Sequence, residues 1–147
     1  MRKRQRRAGS SVVEFALGST LLLSLFSGSL QFGYAFYRYN ALQTAVNSGA
    51  RYAALRTYDS ATETPSSAYT AAVKNTVVYG TAAAGTTPVV PGLTASNVSV
   101  AMKFVNGVPG TVTVSISGYR IPAFFTQFTC TNKPSVTYAY QGYYSPY

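Results

Sequence analysis

Few side chains in this sequence are equipped for chemistry, and the most telling stand together near its start. Gly9 and Ser10 are followed by Glu14 and Phe15, and Glu14 is one of only three acids in the chain. It lies at the lip of an apolar run. An acid there is costly to keep charged and is a functional candidate by default. If the stretch is helical, Ser10 and Glu14 are i,i+4 neighbours, near enough for a charge on one to meet a charge on the other. Two readings fit these residues: a carboxylate kept for a purpose, or a plain signal anchor with an incidental acid at its boundary.

The remaining inventory excludes more than it offers. The chain has no His and a single Cys, with Asp59 and Glu63 as the other acids. Such a pool cannot supply a metal site, and no cofactor is expected. Without His no nucleophile–base pair assembles in the usual way, and Asp59 and Glu63 sit in a polar segment that reads as solvated. Gly80-Thr-Ala-Ala-Ala-Gly85 lacks the Lys of a phosphate loop and reads as a connector. The chain is not expected to be an enzyme. Cys130 has no partner for a disulfide; a buried small residue is the preferred reading, ahead of a bridge between molecules.

The formal net charge of +9 invites nucleic acid, but the charge is unevenly placed. Arg2, Lys3, Arg4, Arg6 and Arg7 precede Gly9, while Arg38, Arg51, Arg56, Lys74, Lys103, Arg120 and Lys133 are scattered singly. No stripe tracks a phosphate backbone, so no nucleic-acid partner is expected. The early cluster is explained by topology. Phe15 to Tyr37 contains no charged residue. As a helix it would cover roughly 35 Å, enough to cross a bilayer core of about 30 Å with some tilt. Basic residues before such a span hold the N-terminus in the cytoplasm and place the rest outside. A secretory signal would have a shorter apolar region, about 7–15 residues, with a small-residue cut after it. Here the small residue, Gly9, comes first.

Gly9-Ser-Ser-Val-Val-Glu14-Phe15 resembles the class III prepilin signal, in which a membrane aspartic peptidase cuts after Gly and Glu is fifth in the mature chain. With Ala16-Leu17, then Gln31-Phe-Gly-Tyr-Ala-Phe-Tyr-Arg-Tyr-Asn-Ala-Leu-Gln43, then Ser48-Gly-Ala-Arg-Tyr-Ala-Ala54, the text over about residues 6 to 56 resembles the TadE-like family. These are pilin-like proteins of bacterial tight-adherence (Flp-type) pilus systems. The resemblance implies cleavage between Gly9 and Ser10, and pairing of Glu14, beside Phe15, with the new amine of an adjacent subunit. It implies as partners a prepilin peptidase, other pilin or pseudopilin subunits (copies of itself included), the inner-membrane secretion machinery, and membrane lipid before assembly. One departure matters: family members often have Glu-Phe-Gly where this chain has Gln31-Phe-Gly, so no role of that second acid carries over.

The elements that must hold these residues follow from periodicity. No Pro precedes Pro65, so one helix is expected from Ser10 to about Leu55, ~69 Å long. Ser19, Thr20, Ser24, Ser27 and Ser29 can bond to carbonyls of their own helix. Gly18, Gly28 and Gly33 read equally well as close-approach points for other helices or as tolerated small residues. Beyond Tyr37 the apolar positions Tyr39, Leu42, Val46, Ala50 and Ala53 form a stripe that must be buried by the chain's own domain, by copies of itself, or by both. Tyr34, Tyr37 and Tyr39 mark the outer membrane face.

Residues 57–68 read as a turn-rich connector, Tyr69–Tyr79 as a short helix buried through Ala72, Val73, Thr76 and Val77, and Gly80–Pro91 as loop. Alternation then predicts strands at Asn97–Val105, Thr111–Ser117 and Ser135–Gln141, with turns at Asn106-Gly107 and Pro109-Gly110. Between the last two strands lies a loop containing Pro122, Phe124, Phe125, Phe128 and Cys130. The Tyr-rich tail (Tyr138, Tyr140, Tyr143, Tyr144, Tyr147) is expected to serve packing and subunit contacts first, adhesion second.

The expected fold class is α+β: a long N-terminal helix, transmembrane then amphipathic, packed on an antiparallel sheet of about three strands, pilin-like. The expected division is a basic leader at 1–9, a helical stem at 10–56 and an exterior domain at 57–147. The expected function is that of a structural subunit cut by a prepilin peptidase and used in assembling a Tad/Flp-type adhesive pilus, as a minor pseudopilin. The alternatives are the major subunit of an extracellular filament, or an unprocessed signal-anchored exterior binding module. The expected location is the cytoplasmic membrane in a single pass, N-terminus inside, and then outside the cell within a pilus.

Overall fold

The computed structural model describes residues 4–122 and 127–146, with side chains described from residue 9 onward. The leader positions Arg2 and Lys3, the loop aromatics Phe124 and Phe125, and Tyr147 lie outside the described residues.

One helix dominates. α1 runs unbroken over Arg4–Leu55, 52 residues, or roughly 78 Å. It begins before the expected Ser10, so the Gly9–Ser10 bond lies inside regular helix. Its first half stands outside the head: the large apolar side chains from Val12 to Tyr37 are exposed, and only near its end does Ala35 pack half-buried against the core. Its second half is the spine of a small head, with Leu42, Val46, Ala50 and Ala53 fully buried and Tyr39 packed half-buried beside them. The stripe read from the sequence is therefore covered by the chain's own domain.

The second helix, α2, spans Ser67–Tyr79. Ser66 caps it by accepting a hydrogen bond from the Tyr69 N–H (3.0 Å), which satisfies one of the orphan donors of the first turn. Gly80, at φ 77°, closes the other end in the left-handed conformation that suits glycine. The face Ala72, Val73, Thr76 and Val77 is buried as expected, and Tyr69 and Val78 join it. α2 crosses α1 at Gly49. A Cβ built there would lie 2.2 Å from Val77 Cγ2, so only glycine lets the helices approach this closely.

Both helices cover one face of a three-stranded antiparallel sheet, β1 (Val98–Val105), β2 (Val108–Ile116) and β5 (Ser135–Ala139), in the order β1-β2-β5. In β1 the even positions turn inward: Val98 and Met102 are buried, Val100 and Phe104 half-buried. Val112, Val114 and Ile116 are their buried counterparts on β2. The opposite face is polar, and Thr113 and Thr137 join hydroxyls across it at 2.8 Å.

Three expectations change. Pro109-Gly110 is not a turn but part of β2. The reversal is made by Asn106 (φ 52°) and Gly107 (φ 79°) alone, the left-handed pair that a two-residue hairpin needs. Gly110 is instead the extra residue of a bulge: Lys103 pairs with Thr111 and Phe104 with Pro109, and a Cβ at Gly110 would strike Val105. The segment read as a loop around Pro122, Phe128 and Cys130 contains a second, two-stranded sheet. β3 (Arg120–Pro122) pairs there with β4 (Gln127–Thr129), and backbone bonds from Gly118 to Cys130 and from Cys130 to Tyr119 extend the pairing. Three residues per strand are too few for alternation to register. The third strand ends at Ala139 rather than Gln141.

The tail is structural. After β5 the chain runs back along the segment leaving α1. Gln141 N–H donates to Ala54 O, Tyr58 N–H to Tyr143 O, and Ser145 N–H to Tyr58 O. Tyr58 is fully buried in an aromatic cluster with Tyr69, Phe104, Tyr140 and Tyr144, ring centroids 5.2–6.3 Å away. Tyr140 Oη donates to Arg56 O at 2.8 Å. Of the tail tyrosines, Tyr143 alone among those described projects strongly, at 73% exposed.

Candidate functional site

The residues singled out by their chemistry all stand on the free half of α1. Gly9, Ser10, Glu14 and Phe15 are exposed, Phe15 at 77%. A Cβ added at Gly9 would meet nothing within 4 Å. Ser10 and Glu14 lie one turn apart on the helix, as the sequence implied, and no ion pair engages Glu14 among the described residues. The Ser10 nitrogen is an amide within α1 and carries no charge, so the two are neighbours on a surface and not a charge pair.

Below them the free half of α1 satisfies its own polar groups. Thr20 Oγ1 donates to Ala16 O (2.8 Å), Ser24 Oγ to Thr20 O (2.8 Å) and Ser29 Oγ to Leu25 O (3.0 Å). These bonds remove the cost of hydroxyls in an apolar setting. Gly18, Gly28 and Gly33 have open space around them. The carbonyl oxygen of Gln31 is shielded from solvent and has no hydrogen-bond partner among the described residues. This is the one helix among the described residues that is long and apolar enough to cross a membrane.

A collar marks where the free half meets the head. The Arg38 guanidinium lies 5.2 Å above the Tyr34 ring, with Nε donating to Tyr34 Oη at 2.9 Å. Its Nη1 reaches Pro91 O at 3.3 Å, and Tyr119 Oη donates to the same carbonyl at 2.9 Å. Sequence reading placed Tyr34 at this level but gave no sign of the bond to Pro91.

The head offers little reactive chemistry. Among the described residues no three of His, Cys, Asp and Glu come together. Cys130 is buried at 8% exposed, and burial pushes its thiol up, away from the reactive thiolate. Glu63 is exposed, as expected, but its carboxylate accepts the Phe104 N–H at 2.9 Å, opposite the bulge in β2. That role depends on a residue far along the chain, and no local pattern signals it.

Burial also raises the phenol pKa values of Tyr58, Tyr69, Tyr119 and Tyr140 above the ordinary tyrosine value. Tyr69 is displaced furthest, and its hydroxyl donates to Ala53 O at 2.6 Å. The sign for stability follows. The unfolded chain releases these protons first, near pH ~10, so above that it binds fewer protons than the folded chain and stability falls. Below about pH 10 the contribution is complete. The melting midpoint of the head should therefore hold steady up to about pH 10 and decline above it, less steeply in Tyr69→Phe. A midpoint unchanged well into the range where free tyrosine is ionised would contradict the burial of these phenols.

Fold and surface together define an α+β protein whose head is carried on one long helix, half inside the head and half bare and apolar. The model of the TadE-like protein family matches residues 9–51, so the chain carries a TadE-like domain that takes in the bare half of α1 and most of the buried half. Over those residues the chain is similar to TadE-like proteins. No curated protein and no solved structure matches the chain.

Proposed function

We propose that this chain is a structural subunit of a Tad/Flp-type adhesive pilus, held in the cytoplasmic membrane by α1 and cut by a prepilin peptidase between Gly9 and Ser10. The N-terminus lies in the cytoplasm and the head outside. Cutting removes five cations that would otherwise hold the chain in the membrane and frees an amine on Ser10. Glu14 then pairs with such an amine on an adjacent subunit, which relieves a costly charge in an apolar surrounding. The observation that carries this reading is the division of α1: Val12 to Tyr37 bare and apolar, Leu42 to Ala54 buried in the chain's own head.

That division also favours a minor pseudopilin over the bulk filament subunit. A stripe already covered by α2 and the sheet has no need of identical neighbours, and the bare half remains for a few contacts at the base or tip. No catalytic role is proposed. The deciding experiment is N-terminal sequencing of the cell-derived protein together with quantitative mass spectrometry of sheared pili. A mature chain starting at Ser10, present in trace amounts with filaments lost on deletion, is the expected outcome. Retention of Met1 or Arg2 would overturn processing, and this chain as the dominant species would overturn the minor role.

Glu14→Gln keeps the side-chain shape and removes the charge. It should leave insertion and cleavage intact and reduce incorporation into assembled complexes about tenfold or more, the order expected for losing a charge pair in an apolar setting. Pull-down of processed subunits with their assembly partners measures it. Normal recovery would remove the pairing mechanism and leave the pilin identity standing.

A further inference from the structure

We propose that the membrane-proximal end of the head is a docking face for the phosphate headgroups of anionic phospholipid. The inference rests on the reading that α1 crosses the membrane. There is no stalk between span and head: the core reaches down α1 as far as Ala35, inside the uncharged run that ends at Tyr37. A bilayer core of about 30 Å consumes about 20 helical residues. Counted from Phe15, it is spent near Tyr34, and Arg38 then lies ~6 Å further out, at headgroup depth.

The sheet brings other groups to the same level. β1 starts at its Val98 end near this base, and Val98 pairs with Ile116 while Ser115 pairs with Ser135. The connections leaving and entering those strand ends carry Arg120 and Lys133, both exposed. Arg120 lines an open hollow of about 440 Å³ with Asn97, Gln127 and Pro91, whose carbonyl is the one Arg38 holds. Phe128, at 48% exposed, supplies an apolar edge on the same hairpin.

The sign of the charge at this end is uniform. Of the chain's three acids, Glu14 is at the far end of α1, Asp59 adjoins Tyr58, and Glu63 binds Phe104 at the opposite end of β1. Among the described residues nothing acidic faces Arg38, Arg120 or Lys133 from below the sheet. A basic base held at phosphate depth by the helix that enters the bilayer meets anionic headgroups without further movement, and each such cation strengthens the contact. Docking would fix the tilt of the head over the membrane before assembly.

The test uses the full chain in nanodiscs, either of phosphatidylcholine alone or with added phosphatidylglycerol, read by hydrogen–deuterium exchange. Phosphatidylglycerol should slow exchange across residues 116–122 and 127–135, by roughly fivefold per engaged cation. Arg120→Gln with Lys133→Gln should abolish the difference, whereas Lys103→Gln, at the other end of the sheet, should preserve it. Equal exchange of the wild-type base in both lipids overturns the proposal. If residues 15–37 stay protected in that case, the membrane-span reading survives. If they exchange freely in both lipids, both readings fall. Equal slowing by inorganic phosphate over neutral lipid would overturn the lipid assignment in favour of a free-anion site.

Discussion

Gly49→Val is expected to lower the melting midpoint of the full chain in detergent by about 10 °C, corresponding to roughly 3 kcal/mol of overpacking. The cause is local and steric. Even the first carbon of a side chain at this position would sit 2.2 Å from Val77 Cγ2, with Val73 O at 3.6 Å behind it. Val77 is fully buried and has no free direction in which to rotate. The helices would have to separate, and the stripe from Leu42 to Ala54 would lose its cover. Adding Val77→Ala should restore part of the loss by removing the obstructing methyl groups, a coupling that a mutant cycle isolates. Gly28→Ala, with open space around it, should leave the midpoint in place. Equal midpoints for Gly49→Val and wild type, followed by near-ultraviolet dichroism of the buried tyrosines, would mean the helices do not meet as described.

Gly9→Val should leave the leader attached in essentially all of the cellular protein, visible as a single heavier species on intact-mass analysis. A branched side chain does not suit a site that accepts glycine, and the change costs the fold nothing because no atom lies near the new Cβ. Loss of processing can thus be assigned to recognition rather than to misfolding. Gly9 also weakens the helix around the proposed scissile bond by about 1 kcal/mol relative to alanine, which would favour the unwinding that cleavage inside a helix demands. Maturation of this variant to normal size would move the cleavage site elsewhere and with it the proposed pairing of Glu14.

Much of this architecture is legible in the residues themselves, for reasons that differ from element to element. The stripe at Leu42, Val46, Ala50 and Ala53 and the alternation in β1 and β2 are repetitive, and repetition survives without knowledge of partners. Gly9 and Glu14 stand out because they form a motif, and to that motif the structure adds only their exposure. Features set by contacts remote in sequence are not legible. Tyr58 reads as part of a polar connector, yet it is the centre of the aromatic cluster because the tail returns to cover it. The carboxylate of Glu63 finds the Phe104 amide across a long stretch of chain. β3 and β4 are too short for periodicity, and their pairing is set by the bonds around Cys130.

The return of the tail to Tyr58 sets an order of events. The strand that completes the sheet and the strap that shields the aromatic cluster both come from the last residues described, and they close against the end of α1. A contact between positions so far apart carries a large loop-closure cost and forms late. Until residues 135–145 have emerged, β2 has an open edge and Tyr58 lacks part of its cover. The head is thus closed by a strap, and until residues 135–145 are in place its sheet edge and aromatic cluster stay open together.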